Sequence, residues 1–307
     1  MRRALQRQRG VAVVTALLLT TLAVTIVASL FWQQQVQVRS VENQRLHLQT
    51  RWILRGALDW ARLILRQDGL DNPTVTRADG VWATPLAETR LDQYVERERI
   101  EGEDYDATLK GQIYDAQSRY NLANLASDAG INAEETRAFG QLLSLLQLDA
   151  GLAQPAAQLV LRAAQAAQQQ GAGSAPMPLQ RVDDLLVAGF PQAAVERLRD
   201  FVVVLPRGQQ VNVNTAPAEV LAAAVEGMSL SEAQALVAAR QRTSFANVGD
   251  FNTRVQGRKS LAQVVVRSDY FLVLSQVRLD RAALESWALI RRGKPGQPIT
   301  LEWIREI

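Results

Sequence analysis

MRRALQRQRG followed by VAVVTALLLTTLAVTIVASLFW, residues 1–32, decides the architecture of this chain. From Val11 to Trp32 no side chain is charged, and at ~1.5 Å rise per residue the run is ~33 Å long as a helix, enough for a hydrocarbon core of ~30 Å. Arg2, Arg3, Arg7 and Arg9 precede it with no acidic residue among them, and an excess of cations stays on the cytoplasmic side of a membrane. The stretch therefore predicts one span, with everything after Trp32 outside the cytoplasm. A secretory signal has a shorter apolar core, about 7–15 residues, closed by a small-x-small cleavage site. Here the helical pattern continues instead.

Between Val36 and Leu65 there is no Pro and a single Gly, Gly56. Ile53, Leu54, Ala57, Leu58, Ala61, Ile64 and Leu65 fall at helical spacing on one face, while Arg51, Arg55, Asp59, Arg62 and Arg66 fill the other. Gly69 and Asp71-Asn72-Pro73 supply the stop. The expectation is one helix of more than fifty residues, its first half in lipid and its second half packed on a soluble domain.

Composition bounds that domain. Four of the 34 Lys and Arg residues lie in the first ten positions, so the remaining 30 nearly balance 31 Asp and Glu. The basic balance belongs to the leader and implies no nucleic-acid partner. The chain has no Cys, hence no disulfide and no thiolate chemistry.

A short basic leader ending in Gly10, an apolar run starting at once, and a continuous amphipathic helix resemble the type IV pilin class. The resemblance implies that prepilin peptidase cuts between Gly10 and Val11, leaving the apolar helix in the mature, N-methylated protein. Most members of that class carry Glu at the fifth mature position, where this chain has Thr15. A carboxylate in the bilayer costs about 2.5–3.5 kcal/mol on insertion scales, and in pilins it is thought to be offset by the amine of a neighbouring subunit. Its absence resembles the K-type minor pseudopilins of type II secretion (the GspK family), thought to sit at the pseudopilus tip. The same leader and span also fit a minor pilin of a type IV or competence pilus.

Beyond the stalk, residues 71–106 are polar and turn-rich, with a short helix expected at 91–99 and a dense acidic stretch from Glu96 to Asp106. That stretch lacks the spacing that folds carboxylates around one calcium ion and reads as a solvated loop. Leu109–Asp115 reads as a strand and 115–119 as a turn. The segment IYDAQSRYNLANL, residues 113–125, resembles the place in K-type pseudopilins where the pilin sheet hands over to an inserted helical domain. Asn121 and Asn124 are expected to hold backbone there.

Helical signals follow. Asn132 to Glu135 reads as a capping-box variant, a second helix begins near Pro155, and GAGSAPMP (171–178) is a connection. Two short helices are expected over 181–201, then the extended piece VVVLP at 202–206. VNVNTAPAEVLAAAVEGMSLSEAQALVAARQRTSFANVGDF (211–251) predicts a helical hairpin, with Thr215 capping one helix and a Ser229/Glu232 box opening the next. It resembles both K-type pseudopilins and helix-hairpin-helix DNA-binding modules, so a membrane-anchored DNA-binding protein is the remaining alternative. Against it, the second Gly of the DNA-binding turn is Ser229, and only Arg240 and Arg242 supply charge on the second helix.

Strands return at 264–280, 285–292 and 299–307, with RGKPGQP (292–298) as a tight loop. Tyr270, Leu272 and Leu274 are expected to point toward the stalk. The fold class is thus α+β: a long N-terminal transmembrane and stalk helix on an antiparallel pilin-like sheet, with a large inserted all-α domain. The divisions are a leader (1–10), the span (11–32), the stalk helix with the first part of the α/β domain (33–120), a helical insert (121–258) holding the hairpin, and C-terminal strands (259–307).

No catalytic residue is expected. The one histidine, His47, lies on the stalk, and no nucleophile elbow, Walker loop or metalloprotease motif occurs. Many K-type members carry an Asp-rich motif where this chain has LVLRAAQAAQQQ; its acidic residues are missing here, so no cofactor is expected, with calcium the one left open. The resemblance implies a structural subunit that initiates or caps the pseudopilus for export of folded periplasmic proteins. It implies as partners the I, J and H minor pseudopilins, prepilin peptidase, the inner-membrane secretion platform and secreted proteins. Ile53, Leu54, Trp60 and Ile64 are the expected partner-helix contacts, and the location is the inner membrane, with a cytoplasmic N-terminus and a periplasmic domain.

Overall fold

The computed structural model describes residues 9–91, 107–127, 129–168, 177–293 and 297–307. Residues 1–8 of the leader, the acidic stretch from Glu96 to Asp106, most of the expected helix at 91–99, most of the 171–178 connection and Lys294–Gly296 of the last loop lie outside them.

One helix, α1, runs unbroken over Arg9–Asp71, ~95 Å at ~1.5 Å per residue. Every side chain from Ala12 to Arg45 is exposed, and this stretch contains an apolar window of mean hydropathy 2.3. Thr15, Thr20, Thr21 and Thr25 turn their hydroxyls back onto carbonyls three or four residues earlier, so these four hydroxyls are not left bare to an apolar surround. Burial starts at Leu46 and Thr50. From there Leu54, Leu58, Ala61 and Leu65, spaced four, three and four residues apart, lie on one side of the helix and are buried.

What they pack against is a five-stranded sheet: β1 (Leu86–Arg90), β2 (Ala107–Asp115), β3 (Tyr270–Leu279), β4 (Ala282–Arg291) and β5 (Thr300–Glu306). The strands lie in that order and every neighbouring pair is antiparallel. β1 was not legible in the polar 71–106 segment. Leu109, Ile113, Phe271, Val273, Val277, Leu284, Ala288 and Ile290 form the stalk-facing core with the four helix residues. Trp82 closes its upper end, its ring edge-on to Phe271 at 5.3 Å.

The period-two alternation of β3 therefore runs opposite to expectation. Phe271, Val273 and Val277 face the stalk, while Tyr270 and Leu272 turn to the far face, under Val203 and Leu205. Both faces of this strand are covered, so both sets are apolar, and alternation alone cannot say which face meets the helix.

β2 and β3 pair from Ala107↔Leu279 to Asp115↔Phe271, yet residues 116–269 lie between them. That excursion has its own core, built on α2 (Ala133–Leu145), α3 (Ala153–Gln168), α4 (Gln192–Leu198), α5 (Ala218–Ala224), α6 (Leu230–Arg242) and α7 (Val248–Arg254). Tyr120 stacks on Phe139 at 5.6 Å and Phe139 on Phe190 at 6.2 Å. Asn132 caps α2 by accepting from the Glu134 and Glu135 amides, but Glu135 does not return the bond. Its buried carboxylate accepts from the Gln263 amide instead, so half of the expected capping box is given to tertiary structure.

Leu65 is fully buried in the stalk-facing core. Leu65→Ala should lower unfolding free energy by about 2–5 kcal/mol through lost transfer energy and a residual cavity, read as a reduced urea midpoint of the full chain in nonionic detergent.

Candidate functional site: stalk face and neck

The helical head joins the sheet at a narrow neck, since the chain leaves at Asp115 and returns at Tyr270 on the adjoining strand. The polar residues that the neck buries form one network. Asp115 Oδ1 accepts the Gln117 amide at 2.8 Å, and Oδ2 accepts the hydroxyls of Ser268 and Thr215 at 2.6 Å each and the Asn212 amide group at 3.2 Å. Asn212 also donates to Ser268 Oγ at 2.7 Å and the Thr76 carbonyl at 3.3 Å. Among the described residues no cation forms an ion pair with Asp115, and burial pushes its carboxyl above the usual carboxylate range against these four donated bonds.

Thr215, expected as a helix cap, is thus drawn into this knot, and Pro217 stands at the N-cap of α5. The other half of VNVNT closes the hairpin: Asn214 exchanges two 2.9 Å bonds with the Phe245 backbone. Asn121 accepts the Leu205 amide and donates to the Pro206 carbonyl, both at 3.0 Å, and Asn124 binds Gly208 and Gln209 in the same way. Both asparagines hold backbone across the neck.

A second group ties the knot to the stalk. Arg292, 3 % exposed, pairs with Asp68 on the last turns of α1 and donates to Thr76 Oγ1 at 2.7 Å and the Ser268 carbonyl at 2.8 Å. Its guanidinium lies 4.8 Å from the centre of the Phe271 ring. Burial lowers the Arg292 pKa, and the charge of Asp68 opposes that shift. Stalk end, strand ends and head are therefore one hydrogen-bonded unit. At the lower end of the domain, Arg51 forks onto Glu306 with two 3.1 Å bonds and Arg281 meets Glu42 at 3.2 Å.

The expected partner contacts separate on the stalk. Leu54, 3 % exposed, is spent on the sheet and offers no surface to a partner; Ile53 and Ile64 are half-buried against the same core. Trp60 is exposed. The sequence reading missed a second stripe on the opposite side. Val41, Leu48, Trp52, Leu63 and Leu70 are all exposed, at spacings of seven, four, eleven and seven residues, close to whole turns of ~3.6 residues. That spacing was readable, but a helix apolar on two sides gives one broad hydrophobic signal.

Gly10 and Val11 lie within the continuous helix α1. In the hairpin, Arg240 points inward to the Val213 carbonyl at 2.6 Å, and Arg258 forks onto Glu232 and reaches the Gly227 carbonyl at 3.2 Å. These cations are engaged within the chain instead of forming a phosphate-binding surface. Among the described residues no group of three His, Cys, Asp or Glu side chains is arranged to hold a metal ion.

Two predictions test the neck and the hairpin. Asp68→Ala strands the buried Arg292 charge and should cost about 3–5 kcal/mol; the double change Asp68→Leu with Arg292→Met should recover much of it, both read by urea unfolding. Glu232 is held at about 2, against an ordinary 4.5, by Arg258 and by the amide and hydroxyl of Ser229. Because the unfolded chain takes up this proton first, the contribution is complete above pH ~4.5 and fades as pH falls toward ~2. Glu232→Gln should lower the melting temperature by a constant amount above pH ~5 and flatten the fall below it, so that variant and parent converge toward pH ~2.

Comparison with known proteins agrees with this architecture. Two family models, both described as Type II secretion system (T2SS), protein K, match residues 118–207 and 211–268, which together make up most of the helical head. Type II secretion system protein K of Pseudomonas aeruginosa is 29% identical over 94% of this chain and 90% of its own length, and that of Klebsiella pneumoniae is 28% identical over 93% of each. Among solved structures, a chain of the GspK-GspI-GspJ complex from enterotoxigenic Escherichia coli superposes with a TM-score of 0.66, at 20% identity, over 87% of this chain and 99% of its own. The chain belongs to the protein K family of the type II secretion system, the K-type minor pseudopilins.

Proposed function

We propose that this subunit works at the tip of the pseudopilus, where it initiates or caps assembly. The observation that carries the reading is the pairing of an unbroken 63-residue helix with a head inserted between adjacent strands. A long stalk with an apolar outer stripe packs side by side with other stalks, and a head much broader than the stalk leaves little room for a further subunit above it.

In this reading the basic leader stays in the cytoplasm, prepilin peptidase cuts between Gly10 and Val11, and the exposed apolar half of α1 is held in the inner membrane until the subunit enters the fibre. The domain from Leu46 onward lies in the periplasm. Thr15 donates its hydroxyl to the Ala12 carbonyl at 3.0 Å, so this position presents no carboxylate to the amine of a neighbour. A subunit without that acceptor suits the end of a fibre, where one of the two axial neighbours is absent. The complex with GspI and GspJ reported for the Escherichia coli structure supports I- and J-type minor pseudopilins as partners here, docked along the stalk. The role is structural, with no chemical step assigned to any residue.

The test is the intact mass of the membrane-extracted protein from cells with and without prepilin peptidase. The expected result is loss of residues 1–10 only when the peptidase is present. A chain of full length in both strains removes the assembly reading.

A further inference from the structure

The outer stripe of the stalk has a charged flank of three arginines with one acid, Asp59, among them. Arg55, Arg62 and Arg66 run beside Trp52, Leu63 and Leu70, spaced seven and four residues apart like the stripe itself. Arg55 lies 5.3 Å from the Trp52 ring, and Arg62 pairs with Asp59 at 2.9 Å. Arg66 is exposed and makes no ion pair or hydrogen bond among the described residues.

At its membrane-distal end the stripe opens into a groove of ≈ 690 Å³, walled on the stalk side by Leu63, Arg66 and Leu70 and on the other by Arg267, Pro298 and Ile299. Arg62 and Arg292 also line it, and the Nε–H groups of Arg62, Arg267 and Arg292 are enclosed without an acceptor among the described residues. Apolar walls, one uncommitted guanidinium and three under-satisfied ones describe a seat for an apolar segment that brings carboxylates. Lipid headgroups are too far away to be the occupant. Arg66 stands ~50 Å along the helix from Trp32, at ~1.5 Å per residue, beyond the interfacial layer of a bilayer whose hydrocarbon ends near that Trp.

We propose that the outer face of the stalk receives an amphipathic helix of a partner subunit whose apolar edge covers Trp52, Leu63 and Leu70 and whose Glu or Asp side chains lie along Arg55, Arg62 and Arg66, ending in the distal groove. This rests on the assembly reading above and adds to it which face is used and what the partner must carry. The sheet-facing stripe of Leu54, Leu58, Ala61 and Leu65 is closed to any partner. An acidic flank on the incoming helix selects it over a neutral or basic one, because like charges brought against the Arg column are penalised.

The experiment measures affinity of the full-length chain, in nonionic detergent, for the I- and J-type pseudopilins of the same secretion system, at low and high salt. Arg55→Glu with Arg66→Glu should weaken binding about tenfold or more at low salt, with the difference shrinking at high salt as screening removes it. Arg55→Lys with Arg66→Lys should bind nearly as the parent does, and Arg278→Glu, an exposed change on the sheet, should have no effect. Trp52→Ala with Leu63→Ala serves as the second arm. Loss of binding in that arm with unchanged binding of the Glu variant overturns the acidic-flank proposal and leaves stalk-mediated assembly standing. Unchanged affinity in both arms overturns the proposal and the docking reading together. Inorganic phosphate that competes away partner binding at millimolar levels, with the Glu variant insensitive to it, would assign the groove to a free anion and also overturn the proposal.

Discussion

The carboxylate of Asp115 is the point on which this molecule turns. An excursion of some 150 residues leaves the sheet after β2 and must return beside it, so two covalent connections alone join head to stalk domain. Connections of that kind leave a head free to swing. Here the exit residue is a buried anion whose acceptors are filled by a residue of the returning chain, Ser268, and by two of the hairpin entrance, Asn212 and Thr215. Removing water from these groups makes each bond strong and each vacancy expensive. The neck therefore has one well-satisfied arrangement, and the head takes its orientation from it.

The knot extends to the stalk through a single arginine. Arg292 directly follows β4, and from there its guanidinium reaches Asp68, Thr76 and the Ser268 carbonyl. A planar fork with several fixed donors suits a task in which one side chain must meet partners on three segments. A buried ion pair adds little to net stability once desolvation is counted; its value is geometric, because only one packing of stalk end, sheet and neck satisfies it. The weaker, solvated pairs Arg51–Glu306 and Arg281–Glu42 at the other end are suited to guiding the helix over the sheet but not to locking it. Between the two ends the apolar contacts of Leu54, Leu58, Ala61 and Leu65 hold the stalk down.

Much of the plan was legible. An uncharged run behind a basic leader, a Pro-free amphipathic continuation and a Gly/Asn/Pro stop specify α1, because helix continuity and the length of an apolar run are properties of local sequence. The Ser229/Glu232 box and the Asn132 cap were equally readable, since caps act within one turn. The neck asparagines could be placed by type but not by long-range partner: Leu205 and Pro206, whose backbone Asn121 holds, lie more than eighty residues away. Asp115 and Arg292 were not singled out, because a charged residue at a strand end ordinarily faces solvent, and nothing local marks these two as buried.

By itself, then, the sequence determined the span, the single long helix, the order of strand, helical insert and strand, and the capped hairpin, all of which depend on periodicity and short-range chemistry. Only the tertiary structure decided which faces are used. It turned Phe271, Val273 and Val277 toward the stalk where Tyr270 and Leu272 were expected, committed Leu54 to the core, and left Trp52, Leu63 and Leu70 in the open. A strand covered on both faces and a helix apolar on two sides carry patterns that fit either orientation. The physical arbiter is the set of long-range bonds at the neck, which sets the register of the sheet against the stalk and so settles which apolar face is buried and which remains for another molecule.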